Sequence, residues 1–438
     1  MTQRTTPGDH GERGAPAATT APTTTTPTTT TPVARTQPPP AKRSSARFVL
    51  LVGSMALLPA VTTDMYLPSL PDVTAELATT TAAVQFTITG MLIGGAIGQL
   101  VVGPLSDRLG RRTPVLVGVS MHIVLSLLCV VAATIEQLIA LRILQGLGSA
   151  GATVIAMAVI RDRYTGADAA RLMSRLMLVI AAAPLLAPTI GGLIADRWGW
   201  RSVFLALALF GVALVIVVAR FLPETLPPER RLVSGIGASM RGYLVLLKDR
   251  HFVALAALPG LSMAVIISYV VGSPFVLQEG YGLGAQQFAL VFAITGTSMV
   301  VSSQVNAALV QRVGPLRLLR VALPAGVVLG CGLLAVAATG AGGVVGIVTM
   351  LWLTMGIIGF VMANASALAL SRHGERAGTA AATIGFLQAG VAAVISPVVG
   401  LLGSTAVAMA MVMLASLVAA LLVLALVTPA YRAGGWLG

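Results

Sequence analysis

The sequence predicts an all-α membrane protein with twelve transmembrane helices in two pseudo-symmetric six-helix bundles. Three observations carry this. First, of 438 residues 56% are hydrophobic and only 10% charged, with a mean hydropathy of +0.91. Soluble domains carry about 25% charged residues, so a soluble enzyme could not cover its surface. Second, the apolar residues fall in runs close to the roughly 20 residues that cross ~30 Å of hydrocarbon. Third, the cations alternate from loop to loop. All spans should be helices, because an open strand edge in lipid leaves backbone groups unpaired.

In chain order, residues 1–46 come first. They hold Thr23–Thr26, Thr28–Thr31 and Pro38–Pro40 with almost no large apolar residues. Such a segment cannot repay its ordering entropy and reads as a disordered cytoplasmic tail. The first apolar run begins near Phe48, too far from Met1 for a signal peptide, and reads as an uncleaved span. Twelve runs follow, at about 47–67, 83–105, 114–133, 137–160, 173–195, 202–222, 252–276, 287–309, 317–338, 343–370, 378–401 and 406–428. The longest polar interruption, 223–251, opens with Pro223-Glu224-Thr225-Leu226-Pro227-Pro228 and forms a cytoplasmic central loop. It separates halves 47–222 and 252–428, of 176 and 177 residues. Equal halves with six spans each indicate an internal repeat. Residues 429–438 form a second cytoplasmic tail.

Orientation follows from the positive-inside rule. Of 28 Lys and Arg residues, 25 lie in the tails, the even-numbered loops and the central loop, or in the span-end turns that border them. The odd-numbered loops hold only Arg197 and Arg201, and Arg142 is inside a span. Both termini are therefore expected in the cytoplasm of a multi-pass protein of the cell (inner) membrane. An odd number of spans would destroy the alternation. The net charge of +13 is thus a topology signal, and no nucleic-acid partner is expected.

Two ionisable residues fall within the expected hydrocarbon. Asp64 is about 26 Å beyond the inner start of the first span, and Arg142 about 8 Å below the outer start of the fourth. A charge at such a place costs at least ~2.5–3.5 kcal/mol, so neither should face lipid. The economical reading is a shared wet cavity in which the two attract each other; the alternative is that each snorkels to the interface. The second half has no equivalent, since a shift of 204 residues carries Arg142 onto Gly346. Binding by that half must use neutral groups such as Asn306, Asn364, Gln388 and Tyr269.

The loop after the second span reads Gly103-Pro104-Leu105-Ser106-Asp107-Arg108-Leu109-Gly110-Arg111-Arg112. A positive-inside loop explains its arginines but not its order of Gly, Asp and Gly. At the same offset of 204, residues 307–316 keep Arg312 and Gly314 and put Gln311 in place of Asp107.

These ten residues closely resemble the signature loop of the major facilitator superfamily. Arg142 to Gly148 resembles its fourth-span arginine motif. Ala183-Pro184 through Ala187-Pro188-Thr189-Ile190-Gly191-Gly192 resembles the fifth-span motif of proton-driven drug exporters, with Ala187 where many members have Gly. Thr63 to Pro71, Pro223 to Pro227, Ser273 to Gln278 and Ala377 to Ala381 are similar to the bicyclomycin/chloramphenicol resistance branch. The resemblance covers about residues 47–428. It implies that Asp64 is the protonatable acid and Arg142 the coupling arginine. Gly103, Asp107, Arg108, Gly110, Arg111, Arg112 and Asp162 would make up the gating motif, in which Asp107 and Arg111 form a charge cluster with Asp162. Pro184, Pro188, Gly191 and Gly192 would let the fifth span pack closely and bend, although plain helix packing explains the glycines as well. Met65, Tyr66, Gln145, Tyr269, Asn364, Phe386 and Gln388 are candidates for a substrate cavity.

Several motifs are declined. Gly146-Leu147-Gly148-Ser149-Ala150-Gly151 satisfies a dinucleotide fingerprint literally, but no strand precedes it. Asn364-Ala365-Ser366 fits a glycosylation pattern inside a span. His10, His122, His251 and His373 are scattered without ligand spacing, and Cys129 and Cys331 are too few for a disulfide framework. No Walker loop offers ATP as energy source. The expectation is proton-coupled efflux of small, largely hydrophobic drugs by a monomer with no cofactor and no metal. The partners are substrate, protons and the bilayer. The alternatives are a proton-coupled transporter of a small metabolite or nutrient, a membrane sensor and an intramembrane enzyme.

Overall fold

The computed structural model describes residues 46–164, 166–231, 245–373 and 377–431. The Thr/Pro-rich tail, apart from Ala46, most of the central loop and the tail after Tyr431 lie outside them. Among the described residues there are twelve long helices and no strand. They are α1 (Ala46–Asp64), α2 (Thr81–Leu109), α3 (Arg112–Val130), α4 (Ile135–Arg163), α5 (Gly166–Trp198) and α6 (Arg201–Phe221), then α7 (Arg250–Pro274), α8 (Ala285–Val313), α9 (Pro315–Thr339), α10 (Gly343–Arg372), α11 (Ala377–Leu401) and α12 (Ala406–Leu422). Among the described residues, eleven helices are long and apolar enough to cross a membrane. The remaining long helix, α5, is described only in part. Large apolar side chains such as Leu50, Val117, Leu209, Val321 and Val345 stay exposed, as expected of residues that face lipid.

The helix ends follow local chemistry. Thr80, Thr134 and Thr405 accept a backbone N–H three residues on and cap α2, α4 and α12, while Asp249 caps α7. Gly110 and Gly314 end α2 and α8 with φ of +94° and +85°, a region that favours glycine. The repeat is explicit here. Residues 285 and 313 bound α8 and lie 204 beyond 81 and 109, which bound α2. Two segments differ from a plain helical reading. After Asp64 the chain makes a 3-10 turn at Leu67–Ser69 and a short helix, Leu70–Glu76. After Pro274, α7 continues as a π-helical turn, Phe275–Gly280.

The chain alternates between two ends, called near (the start of α1) and far. The declined glycine motif has a packing role. A Cβ at Gly146 would lie 2.1 Å from the Met91 carbonyl oxygen, and one at Gly94 would lie 1.8 Å from that of Ile143. A Cβ at Gly148 would lie 2.9 Å from the Gly118 carbonyl oxygen. Bare glycine backbone therefore lets α4 seat against α2 on one side and α3 on the other, which places Arg142 deep in the first bundle.

Candidate functional site

Arg142 is fully buried, and its guanidinium is enclosed by three helices. Nη1 donates to Gln145 Oε1 at 2.7 Å and to the Thr62 carbonyl of α1 at 3.3 Å. The plane lies over the rings of Tyr66 and Phe204, 5.0 and 5.7 Å from their centroids. Such cation–π contacts are worth about 2 kcal/mol when desolvated. Gln145 passes the contact on by donating to Ser126 Oγ at 2.7 Å, and Ser126 donates to the His122 carbonyl at 2.7 Å. Arg142 Nε and Nη2 are buried without a hydrogen-bond partner.

Asp64 ends α1 two residues beyond Thr62 and is 8% exposed. Among the described residues its carboxylate makes no ion pair with Arg142, so the expected attraction does not take that form. The backbone beside it is held from the other side by α5, where a Cβ at Gly191 would lie 2.0 Å from the Met65 carbonyl oxygen. Pro188 and Gly192 are also buried, Pro184 is half-buried, and Gly192 sits opposite Ala285 of α8. The fifth-span motif therefore packs against the end of α1 and the start of α8. Asp64 lies where α1 stops being helical, between Thr62, which touches Arg142, and Met65, which touches Gly191.

The second constellation is at the near end. Arg111 is buried and donates to Ser106 Oγ at 2.8 Å, Asp107 Oδ1 at 2.5 Å and Asp162 Oδ2 at 2.9 Å. Thr225 Oγ1 donates to the same Asp162 oxygen. Glu224 completes the cluster by accepting the backbone N–H groups of Arg111 (2.8 Å) and Arg112 (3.2 Å) at the start of α3. Its partial burial raises its pKa, but the backbone N–H donors of Arg111, Leu226, Arg112 and Thr225 outweigh this and hold it below the usual carboxylate range. A Cβ at Gly110 would lie 2.4 Å from Glu224 Oε2. Arg112 donates to the Ala219 carbonyl of α6, Arg108 is exposed, and a Cβ at Gly103 would only touch Val154 Cγ1 at 4.0 Å.

The sequence profile of the Major Facilitator Superfamily matches residues 52–397. This chain belongs to the Major Facilitator Superfamily. It is 35% identical over 376 residues to an uncharacterized MFS-type transporter, YdgK, of Bacillus subtilis (strain 168), covering 85% of this chain and 93% of that protein. It is 30% identical to a bicyclomycin resistance protein homolog of Haemophilus influenzae, covering 82% and 90%. Multidrug resistance protein MdtL of Escherichia coli is 32% identical over 59% of this chain and 65% of its own length. Among solved structures, the nucleoside transporter NupG superposes with TM-score 0.71 at 12% identity, covering 88% of this chain and all of that one. The D-xylose–proton symporter superposes with TM-score 0.66 at 17% identity, covering 88% and 98%. These structural likenesses establish the fold. The chain is a multi-pass membrane transporter of this superfamily and not an enzyme, and its relatives support the bicyclomycin/chloramphenicol resistance branch.

Within this superfamily member, the residues expected to line a cavity divide. Met65, Tyr66, Gln145, Tyr269 and Asn364 are buried against partners. Tyr66 packs on Phe204, Tyr269 stacks on Phe292 at 5.1 Å, and Asn364 donates to Asn306 Oδ1 at 2.6 Å. Gln388 is half-buried, and Phe386 is 44% exposed. Ser126 escaped the reading of the sequence, and Glu224 entered it only within the Pro223-to-Pro227 stretch and not as a site residue. For Glu224 the available signal was an acid directly after Pro223 at the start of the central loop.

Two expected results concern the near-end cluster. Gly110→Ala combines an unfavourable φ with the close contact to Glu224, and should cost about 1–3 kcal/mol in thermal unfolding of the purified protein. Glu224 has a folded pKa below its unfolded value, so its contribution is full above the unfolded pKa. It is lost as pH falls through the folded pKa. Protection of the Arg111 and Arg112 amides from hydrogen exchange should therefore persist from pH 7 down to about pH 5 and fail only below about pH 4. Loss of protection already at pH 6 would contradict the clasp.

Proposed function

We propose that this transporter exports small, largely hydrophobic drugs from the cytoplasm in exchange for protons. The observation that carries the reading is Asp64. It is a nearly buried carboxylate with no ion-pair partner among the described residues, placed where α1 unwinds between the arginine motif and the exporter-like fifth-span motif. A carboxylate held in this way changes charge by exchanging one proton with whichever side its surroundings open to. The cationic near end is assigned to the cytoplasm by the positive-inside rule, which puts Asp64 in the outer third of the membrane. In the outward-open state Asp64 takes a proton as substrate leaves. The halves then rock about the shared site, and the proton departs inward as substrate binds. Two relatives named for bicyclomycin and multidrug resistance support drugs as the substrate class.

The direct test uses everted membrane vesicles loaded by respiration and a panel of antibiotics. Drug addition should release protons from the acidified interior, and drug should accumulate inside. Uptake in the opposite direction, or transport of a sugar or nucleoside alone, would replace this reading with that of a metabolite transporter.

A further inference from the structure

At the far end the two halves are fastened by two glutamines. Gln85, fully buried in the second turn of α2, donates through Nε2 to the Val271 carbonyl of α7 and to Ser404 Oγ, both at 3.2 Å. Gln278 lies in the π-helical turn that prolongs α7 and donates to the Pro68 carbonyl at 3.2 Å. These three bonds cross the seam between the halves. At the near end, Arg111 pairs with Asp107 and Asp162, and Arg372 pairs with Asp249, each within one half. Pro68 belongs to the 3-10 turn Leu67–Ser69 that begins three residues beyond Asp64.

The closed seam also carries an unmet demand. On the segments that meet at this end, Ser69 Oγ, Gln85 Oε1, Ser273 Oγ and Ser396 Oγ are buried without a hydrogen-bond partner among the described residues. A buried orphan polar atom is costly, and water entering an opened seam would satisfy it. Three neutral hydrogen bonds are thus set against four orphaned atoms, which describes a contact built to open. Close approach is allowed by Gly400 of α11, whose Cβ would lie 2.6 Å from both Ala82 Cα and Gln85 Oε1.

We propose that Gln85 and Gln278 are positioning residues that latch the far end, and that breaking their bonds exposes the Asp64 segment to the far side. The role of Asp64 rests on the transport reading above; the latch itself is testable without substrate or gradient. Spin labels at Ala133 and Ala341, exposed far-end positions on opposite halves, report the far-end distance. Labels at Thr113 and Gln311, exposed near-end positions, report the other end. Both pairs are placed in protein with Cys129 and Cys331 replaced by alanine and reconstituted in nanodiscs. The Gln85→Leu/Gln278→Leu double variant should lengthen the far-end distance and shorten the near-end one, with the original far-end component lost. Gly400→Val should do the same by steric wedging, and Ser404→Ala should do so in part. If the double variant does not fold, the other two variants decide. Unchanged distances in the variants that fold, or broadening at both ends alike, overturns the latch. If these shifts occur while Asp64→Asn retains full proton coupling, the latch stands and the proton assignment falls.

Discussion

Asp64→Asn is expected to abolish drug-driven proton movement in proteoliposomes, down to the level of protein-free vesicles. The substitution keeps the shape of the side chain and removes only its ability to carry a proton. Among the described residues the carboxylate holds no ion pair to be lost, so folding should be affected little. That combination separates coupling from structure. Thermal unfolding and proton flux measured on the same preparation check it. If a proton gradient still drives full transport through the Asn variant, the coupling assignment is wrong. The result carries weight because Asp64 has no ion-pair partner among the described residues: a carboxylate locked to Arg142 would mix the loss of a proton site with the loss of an ion pair.

Arg142→Lys should reduce transport by about tenfold or more while the protein still inserts and folds. The charge is kept, but the planar guanidinium is not. A lysine ammonium cannot keep the contacts with both Tyr66 and Phe204 while reaching Gln145 and the Thr62 carbonyl with a planar pair of donors. Each buried acceptor left without its donor costs about 1–3 kcal/mol, and about 1.4 kcal/mol corresponds to a factor of ten. The position of α1 beside Asp64 depends on that contact to Thr62, so the effect should appear in the proton-coupled rate. Initial rates normalised to protein in the membrane test this. A wild-type rate in Arg142→Lys would mean that any buried cation suffices and that the aromatic enclosure is packing alone.

The helical architecture was largely legible because each segment partitions between water and hydrocarbon on its own account. The described long helices fall at the expected spans, and α2 and α8 keep the 204-residue offset at both ends. Asp64, Arg142 and Arg111 stood out because a charged group within or beside an apolar run is conspicuous in one dimension. The fingerprint at Gly146–Gly151 could be declined on context, although its role in seating α4 between α2 and α3 needed coordinates. Two local expectations were incomplete. The connection after the first span is a 3-10 turn followed by the short helix Leu70–Glu76, and α7 runs on as a π-helical turn. Pro68, Pro71 and Pro274 marked irregularity without specifying its form.

The sequence alone therefore determined the membrane environment, the internal repeat and the buried ionisable residues. All of these follow from composition and from spacing along one chain. Tertiary structure decided which of those residues meet. Arg142 reaches the backbone of Thr62 and the faces of Tyr66 and Phe204 instead of the Asp64 carboxylate, which is left bare. Glu224 returns over a separation of 113 residues to the start of α3, and Gln85 finds Ser404 across 319. The physical reason is that hydrogen bonds and ring contacts act over a few ångströms. Which groups fall within that range depends on how closely the glycine-lined helices approach, and no periodicity in the chain records that distance.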